Sequence, residues 1–204
     1  ESMDAAFSWS DFVAKTNAEL LANLGNFVNR TTRFLTAKMS SRVPGAKLLP
    51  PDEQFIAEKI DTELVKYAEE MEACRLRSAL KTAMAVSAAG NLYLAEQRLD
   101  AKLLQNEPER CGTVLAVALN LCYTLSALLD PFIPGTAEDI RKILNLPARK
   151  IPGKFSLEIK AGHVIGTPFH LFTKLDEAPV EELRAKFAGK SGAVKLSVTE
   201  AAAH

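Results

Sequence analysis

The chain has 204 residues, of which 48% are hydrophobic and 25% charged, the length and balance of one well-cored globular domain with an appended tail. Lys plus Arg and Asp plus Glu both number 25, so there is no overall basic field, and any nucleic-acid role must rest on a local patch. Cys74, Cys111 and Cys122 are odd in number and lack metal-ligand spacing, which argues against a disulfide framework and for reduced thiols in a helical core.

No apolar run of about 18 or more residues occurs, so no membrane span is expected. The opening Glu1-Ser2-Met3-Asp4 has neither a basic nor an apolar leader region and reads as mid-protein sequence. From about Ser10 to Lys38, the residues Val13, Leu20, Leu24, Phe27, Val28, Phe34 and Leu35 recur at helical spacing. Ser8 or Ser10 is the expected N-cap, and the stretch from Ser40 to Gly45 the expected stop. Pro50-Pro51-Asp52-Glu53 opens a second helix, with Pro tolerated and acids favoured in the first turn. A weakly marked break near Ala73 and Cys74 precedes a third helix, Arg75 to Arg98.

The stretch Asp100 to Glu107 reads as polar and irregular. A fourth helix then runs from Pro108 to the break at Asp130-Pro131-Phe132-Ile133-Pro134. Thr136 is the expected cap of a short fifth helix closed by Asn145-Leu146-Pro147. Beyond Pro152 the alternation Phe155-Ser156-Leu157-Glu158-Ile159, a turn at Gly162 and the segment His163 to Phe172 predict a small β-hairpin. Pro179-Val180-Glu181 starts a last short helix ending at Gly189. The expected fold is therefore all-α: an antiparallel helical bundle over residues 1–150, a hairpin arm with a terminal helix over 151–189, and a tail over 190–204.

Asn26, Asn29, Arg30 and Arg33 stand at i, i+3, i+4 and i+7, on one face of the first helix. Amides and guanidinium groups along a rigid helix suit base edges or phosphates, although a plain solvated face has the same spacing. No acid occurs from Leu20 to Ser41, whereas Arg30, Arg33 and Lys38 fall there, with Arg42 following. Such local charge acts on phosphates even on a neutral chain, because salt screens over about 8–10 Å. Arg75, Arg77 and Lys81 read as surface charges facing Glu69, Glu70 and Glu72, and the loop Glu96 to Lys102, with Asp100, mixes donors and acceptors. His163, His170 and His204 lack metal-ligand spacing, and no nucleotide-binding or nucleophile motif is present.

The segment Glu19-Leu20-Leu21-Ala22-Asn23-Leu24-Gly25-Asn26-Phe27-Val28-Asn29-Arg30 resembles the opening of the anticodon-binding domain of methionyl-tRNA synthetases. Phe7-Ser8-Trp9-Ser10-Asp11-Phe12, Arg77-Ser78-Ala79-Leu80, Gly90-Asn91-Leu92-Tyr93-Leu94, Asp130-Pro131-Phe132-Ile133-Pro134 and the stretch Gly166 to Leu175 resemble successive pieces of the same cytosolic, fungal-type family, in order. The resemblance implies binding of the CAU anticodon of methionine tRNA, with Asn29 and Arg33 matching base-contacting positions and Asn26 and Arg30 beside them. Asp100 and Lys102 match the family's loop after the third helix. That loop usually carries a Trp, whereas here the only Trp is Trp9 and the place is taken by Leu99-Asp100. A base stacked on an aromatic is worth about 1–3 kcal/mol.

Lys38-Met39-Ser40-Ser41 looks like the ATP-handling KMSKS loop, but it follows the anticodon helix and its second Lys is replaced by Ser41. With the HIGH motif also missing, the resemblance implies that ATP and methionine are handled by a separate catalytic domain, on which the arm packs, and that this chain alone is inactive. The implied setting is cytoplasmic, with methionine tRNA, that catalytic domain and proteins of a synthetase complex as partners. The rival expectation is a helical protein-interaction module that has lost anticodon recognition. A class I synthetase of another specificity fits the Asn-Phe-Val-Asn-Arg segment less well.

Overall fold

A computed structural model describes residues 7–187, apart from the side chains of 177–179; Gly189, His204 and the predicted tail lie outside the described residues. The first segment is a helical rod in three parts: α1 (Trp9–Lys15), a π-helical stretch (Thr16–Gly25) and α2 (Asn26–Met39). Ser8 caps it, its hydroxyl accepting the Asp11 N–H at 3.3 Å. The 3.6-residue spacing predicted an unbroken α-helix. Instead the middle is wound wider, with the Asn26 N–H reaching the Leu21 carbonyl.

The rod stops because Ser40 and Ser41 both turn left-handed, with φ of 51° and 59°. The break thus falls at the start of the expected stop Ser40 to Gly45, on the two serines, and Lys38-Met39-Ser40-Ser41 is a helix terminus. Next come α3 (Pro50–Phe55), a π-helical stretch (Ile56–Asp61) and α4 (Thr62–Glu72). Cys74, at φ 56°, forms the turn into α5 (Leu76–Glu96).

The expected irregular stretch after α5 is a helix, α6 (Ala101–Asn106). Asp100 caps it by accepting the Leu103 N–H at 2.8 Å, and half-buried Leu103 and Leu104 give it an apolar side. The centre of the molecule is α7 (Pro108–Leu129), in which every residue from Cys111 to Leu129 is buried. By length and composition α7 is apolar enough to cross a membrane, but its whole apolar window is covered by packing, mainly from α2, α5, α6 and α8. Helix α8 (Pro134–Leu144) starts at Pro134 and not at Thr136, and closes at Asn145 in the left-handed region. Cys111 and Cys122 are buried as expected, whereas Cys74 is exposed. Burial pushes the Cys122 thiol up to about 12.

Helices α2 and α5 cross closely at Gly90, where an added Cβ would lie 2.5 Å from the ring of the fully buried Phe27. Gly90→Ala therefore forces an overpacked contact costing about 1–3 kcal/mol, offset by about 1 kcal/mol of helix propensity. A urea melt is expected to show a net loss of up to about 2 kcal/mol; a gain in stability would contradict the crossing.

The C-terminal arm is not a β-hairpin. Among the described residues there is a single isolated antiparallel bridge, Arg42 with Val164, because other parts of the bundle take the backbone donors a hairpin would use. The Glu158 and Ile159 N–H groups both donate to Asn120 Oδ1, at 2.7 and 2.9 Å. The Phe155 N–H donates to Asp61 Oδ1 at 2.7 Å, and the Ile165 N–H to the Ser41 carbonyl at 3.0 Å. From there the arm runs antiparallel along the first rod, with His170 beside Arg33, Phe172 beside Gly25 and Leu175 beside Asn17. It ends in α9 (Glu177–Phe187), which packs against α1.

Candidate nucleic-acid interface

Helix α2 presents two faces. Phe27, Val28, Thr31, Thr32 and Leu35 are buried, and the Thr31 and Thr32 hydroxyls are satisfied by donating to the Phe27 and Val28 carbonyls at 2.8 Å each. On the other side Asn26, Arg30 and Arg33 are exposed and Asn29 is half-buried, so these four residues form one solvent-facing strip.

The strip is ordered by its own hydrogen bonds. Arg33 Nε–H donates to Asn29 Oδ1 at 2.8 Å, one turn back on the helix. An Arg33 Nη2–H donates to His170 Nε2 on the arm at 3.3 Å. Asn26 Nδ2–H donates to Asn91 Oδ1 at 3.1 Å, and Asn91 Nδ2–H in turn reaches the Asn23 carbonyl at 2.9 Å. The strip is therefore tied to α5 as well as to the arm. Arg30 projects into solvent with no ion-pair partner among the described residues. A cleft of about 430 Å³ opens between Gly25, Asn26 and Asn29 on the rod and His170, Leu171 and Phe172 on the arm.

Asp100 and Lys102 are exposed at the start of α6. One Asp100 carboxylate oxygen is engaged in capping the helix. Among the described residues no hydrogen bond joins Asp100 or Lys102 to the α2 strip. Leu99 packs partly against the core.

A buried polar cluster fixes the turn that carries Asp100, and sequence reasoning missed it. Asp52 is fully buried; its Oδ1 accepts from Tyr93 Oη–H at 2.7 Å and Arg110 Nη2–H at 2.8 Å. Its Oδ2 accepts from Arg110 Nη1–H at 2.5 Å and the Leu49 N–H at 3.0 Å. Arg110 also donates to Gln97 Oε1 at 2.6 Å, at the C-terminal end of α5. Burial works to raise the Asp52 pKa, but the bonds from Arg110, Tyr93 and Leu49 outweigh it and hold the carboxyl below its ordinary value. Burial and the Asp52 contact push the Tyr93 phenol well up. In the sequence Asp52 stands out only as a first-turn acid. Its partners lie 41 and 58 positions away, beyond any local signal.

The remaining predicted candidates are ordinary. Arg75 pairs with Glu70, and the His163 ring N–H donates to the Leu144 carbonyl at 2.7 Å. No cluster of three or more His, Cys, Asp or Glu residues with metal-binding geometry occurs among the described residues.

Residues 43–192 match the family described as the anticodon binding domain of methionyl tRNA ligase, and residues 1–32 match class I tRNA synthetases (M). The cytoplasmic methionine–tRNA ligase of Saccharomyces cerevisiae is 44% identical over 93% of this chain and 25% of its own length. The human cytoplasmic methionine–tRNA ligase is 36% identical over 93% of this chain and 21% of its own length. The chain thus spans about a quarter of the length of the curated relatives it matches. A crystal structure of apo Mycobacterium tuberculosis methionyl-tRNA synthetase superposes with a TM-score of 0.73 at 20% identity, covering 85% of this chain and 36% of that one, which shows a common fold. With three quarters of its length matched by the family's sequence pattern, the chain belongs to the anticodon-binding domain family of methionyl-tRNA ligases.

Proposed function

We propose that this chain captures the CAU anticodon of methionine tRNA on the exposed strip of α2, so that a methionine–tRNA ligase can charge the distant acceptor end. The observation that carries this reading is the hydrogen-bonded pair Asn29–Arg33 on an exposed, acid-free helix face. Asn26, Asn29 and Arg33 read base edges there, and Arg30 holds phosphate. Asp100, presented at the start of α6, accepts from the exocyclic amino group of the cytosine, and Lys102 meets the backbone nearby. Residues 1–150 form the recognition unit, 151–189 an arm that also packs toward a catalytic domain, and 190–204 a tail.

Activation of methionine with ATP belongs to that catalytic domain, and this chain alone is inactive. The setting is cytoplasmic, the compartment in the names of the fungal and animal relatives. Methionine tRNA, the catalytic domain and proteins of a synthetase complex are its partners.

The deciding experiment measures binding of the chain to anticodon stem-loops carrying CAU or a changed first base, at two salt concentrations. Preference for CAU and a steep loss of affinity with salt are expected. Arg33→Ala is expected to cost about 1–3 kcal/mol with CAU and to erode the preference. Equal affinity for both loops would leave only phosphate contacts, and no binding would favour a protein-interaction module, in keeping with the zero net charge.

A further inference from the structure

We propose that His170, on the C-terminal arm, is a positioning residue for Arg33, and that the arm forms the second wall of a seat for one unpaired nucleobase. The proposal rests on the anticodon reading above and adds the arm to it.

An exposed arginine normally samples many rotamers and loses about 2 kcal/mol of conformational freedom when it is fixed. Arg33 is exposed, yet it is gripped on two sides, by Asn29 Oδ1 at 2.8 Å and His170 Nε2 at 3.3 Å. Arginine only donates, so His170 Nε2 is the acceptor and its proton sits on Nδ1. Two of the five guanidinium N–H groups are used in this way, and the other three remain for a base or phosphate. Asn29 spends its carbonyl oxygen on Arg33 and keeps its amide N–H donors for a ligand.

The arm can hold His170 in place because it is pinned on both sides of it. Upstream, the Gly166 N–H donates to the Ile143 carbonyl at 2.8 Å, and a Cβ at Gly166 would come within 2.9 Å of the Lys142 carbonyl oxygen. Downstream, Asn17 and Leu175 exchange a pair of hydrogen bonds, each 2.9 Å. Between these pins, Phe172 approaches the rod so closely that a Cβ at Gly25 would lie 3.1 Å from its ring. The resulting cleft, about 430 Å³, has room for a base with the Asn26 and Asn29 amides on one wall and Leu171 and Phe172 of the arm on the other, while His170 stays engaged with Arg33. Amides suit a base edge, and an aromatic ring such as that of Phe172 suits its face.

The test measures affinities of the chain for the CAU stem-loop and a changed-base stem-loop, with circular dichroism melts to confirm that each variant is folded. His170→Ala is expected to weaken CAU binding about five- to tenfold, the effect of one hydrogen bond, and to narrow the gap between the two loops. His170→Gln, which keeps an acceptor, is expected to restore most of the loss. Because His170 acts through Arg33, adding His170→Ala to Arg33→Ala is expected to cost nothing further. Suppose Arg33→Ala loses selectivity while His170→Ala binds like the unsubstituted chain, or adds its full loss to the double variant. Then this proposal fails and the anticodon reading stands. If the unsubstituted chain does not prefer CAU, both fail.

Discussion

Asp52→Ala is expected to lower the unfolding free energy by about 3–5 kcal/mol, because it leaves the Arg110 charge without its buried partner. For a domain stabilised by about 5–15 kcal/mol in total, that is a large part of the margin. The removed carboxylate also satisfies Tyr93 and the Leu49 N–H, and both lose an acceptor. The pH dependence has a definite sign. The folded-state pKa of Asp52 is depressed, so its contribution is complete above the unfolded value near 4 and is lost as pH falls through the folded value. Stability of the unsubstituted chain should therefore decline in acid, below about pH 4, and Asp52→Asn should flatten that decline. Chemical denaturation at pH 7 and across the acid range measures both effects. A loss under about 1 kcal/mol at pH 7 would show that the cluster does not anchor the fold.

Asn120→Ala is the second large effect, expected at about 2–6 kcal/mol. One side-chain oxygen accepts the Glu158 and Ile159 N–H groups, while the amide donates to the Ala116 carbonyl at 2.8 Å. Truncation leaves two backbone donors unsatisfied beside a fully buried helix, at about 1–3 kcal/mol each. Hydrogen exchange distinguishes this local effect from general weakening: the Glu158 and Ile159 amides should exchange much faster in the variant, while mid-α7 amides keep their relative protection. Unchanged exchange at both positions would mean that something other than Asn120 holds this part of the arm.

The arm also shows where sequence reasoning succeeds and where it stops. The alternation over 155–159 correctly marks Phe155 and Ile159 as inward, both 6% exposed. Alternation reports which side chains face a core and says nothing of what pairs with the backbone, and here the partner is an asparagine on α7 instead of a second strand. The α2 strip was legible because both of its faces repeat within a few turns of one helix. Helix α6 was missed because six residues are too few to show a period, and because Asp100 was read for RNA when its carboxylate also caps a helix. The grip of His170 on Arg33 spans 137 positions, and no local pattern announces it.

The route of the arm along the first rod also limits its length. From Ser41 back to Asn17 a continuous α-helix would cover on the order of 35 Å at about 1.5 Å per residue, and the wider-wound stretch Thr16–Gly25 makes the rod somewhat shorter. The chain from Ile165 to Leu175, drawn out fully, reaches about 33–36 Å, so it crosses that span in a largely extended form. It works as a ruler laid along the helix. Side chains can be exchanged along it, but removing one residue withdraws roughly 3.3 Å of reach. Either the Ile165 bond to Ser41 or the Leu175 pair with Asn17 would then have to let go, and His170 would slide out of register with Arg33. The arm's residue count is therefore as much a part of the proposed surface as the residues it carries.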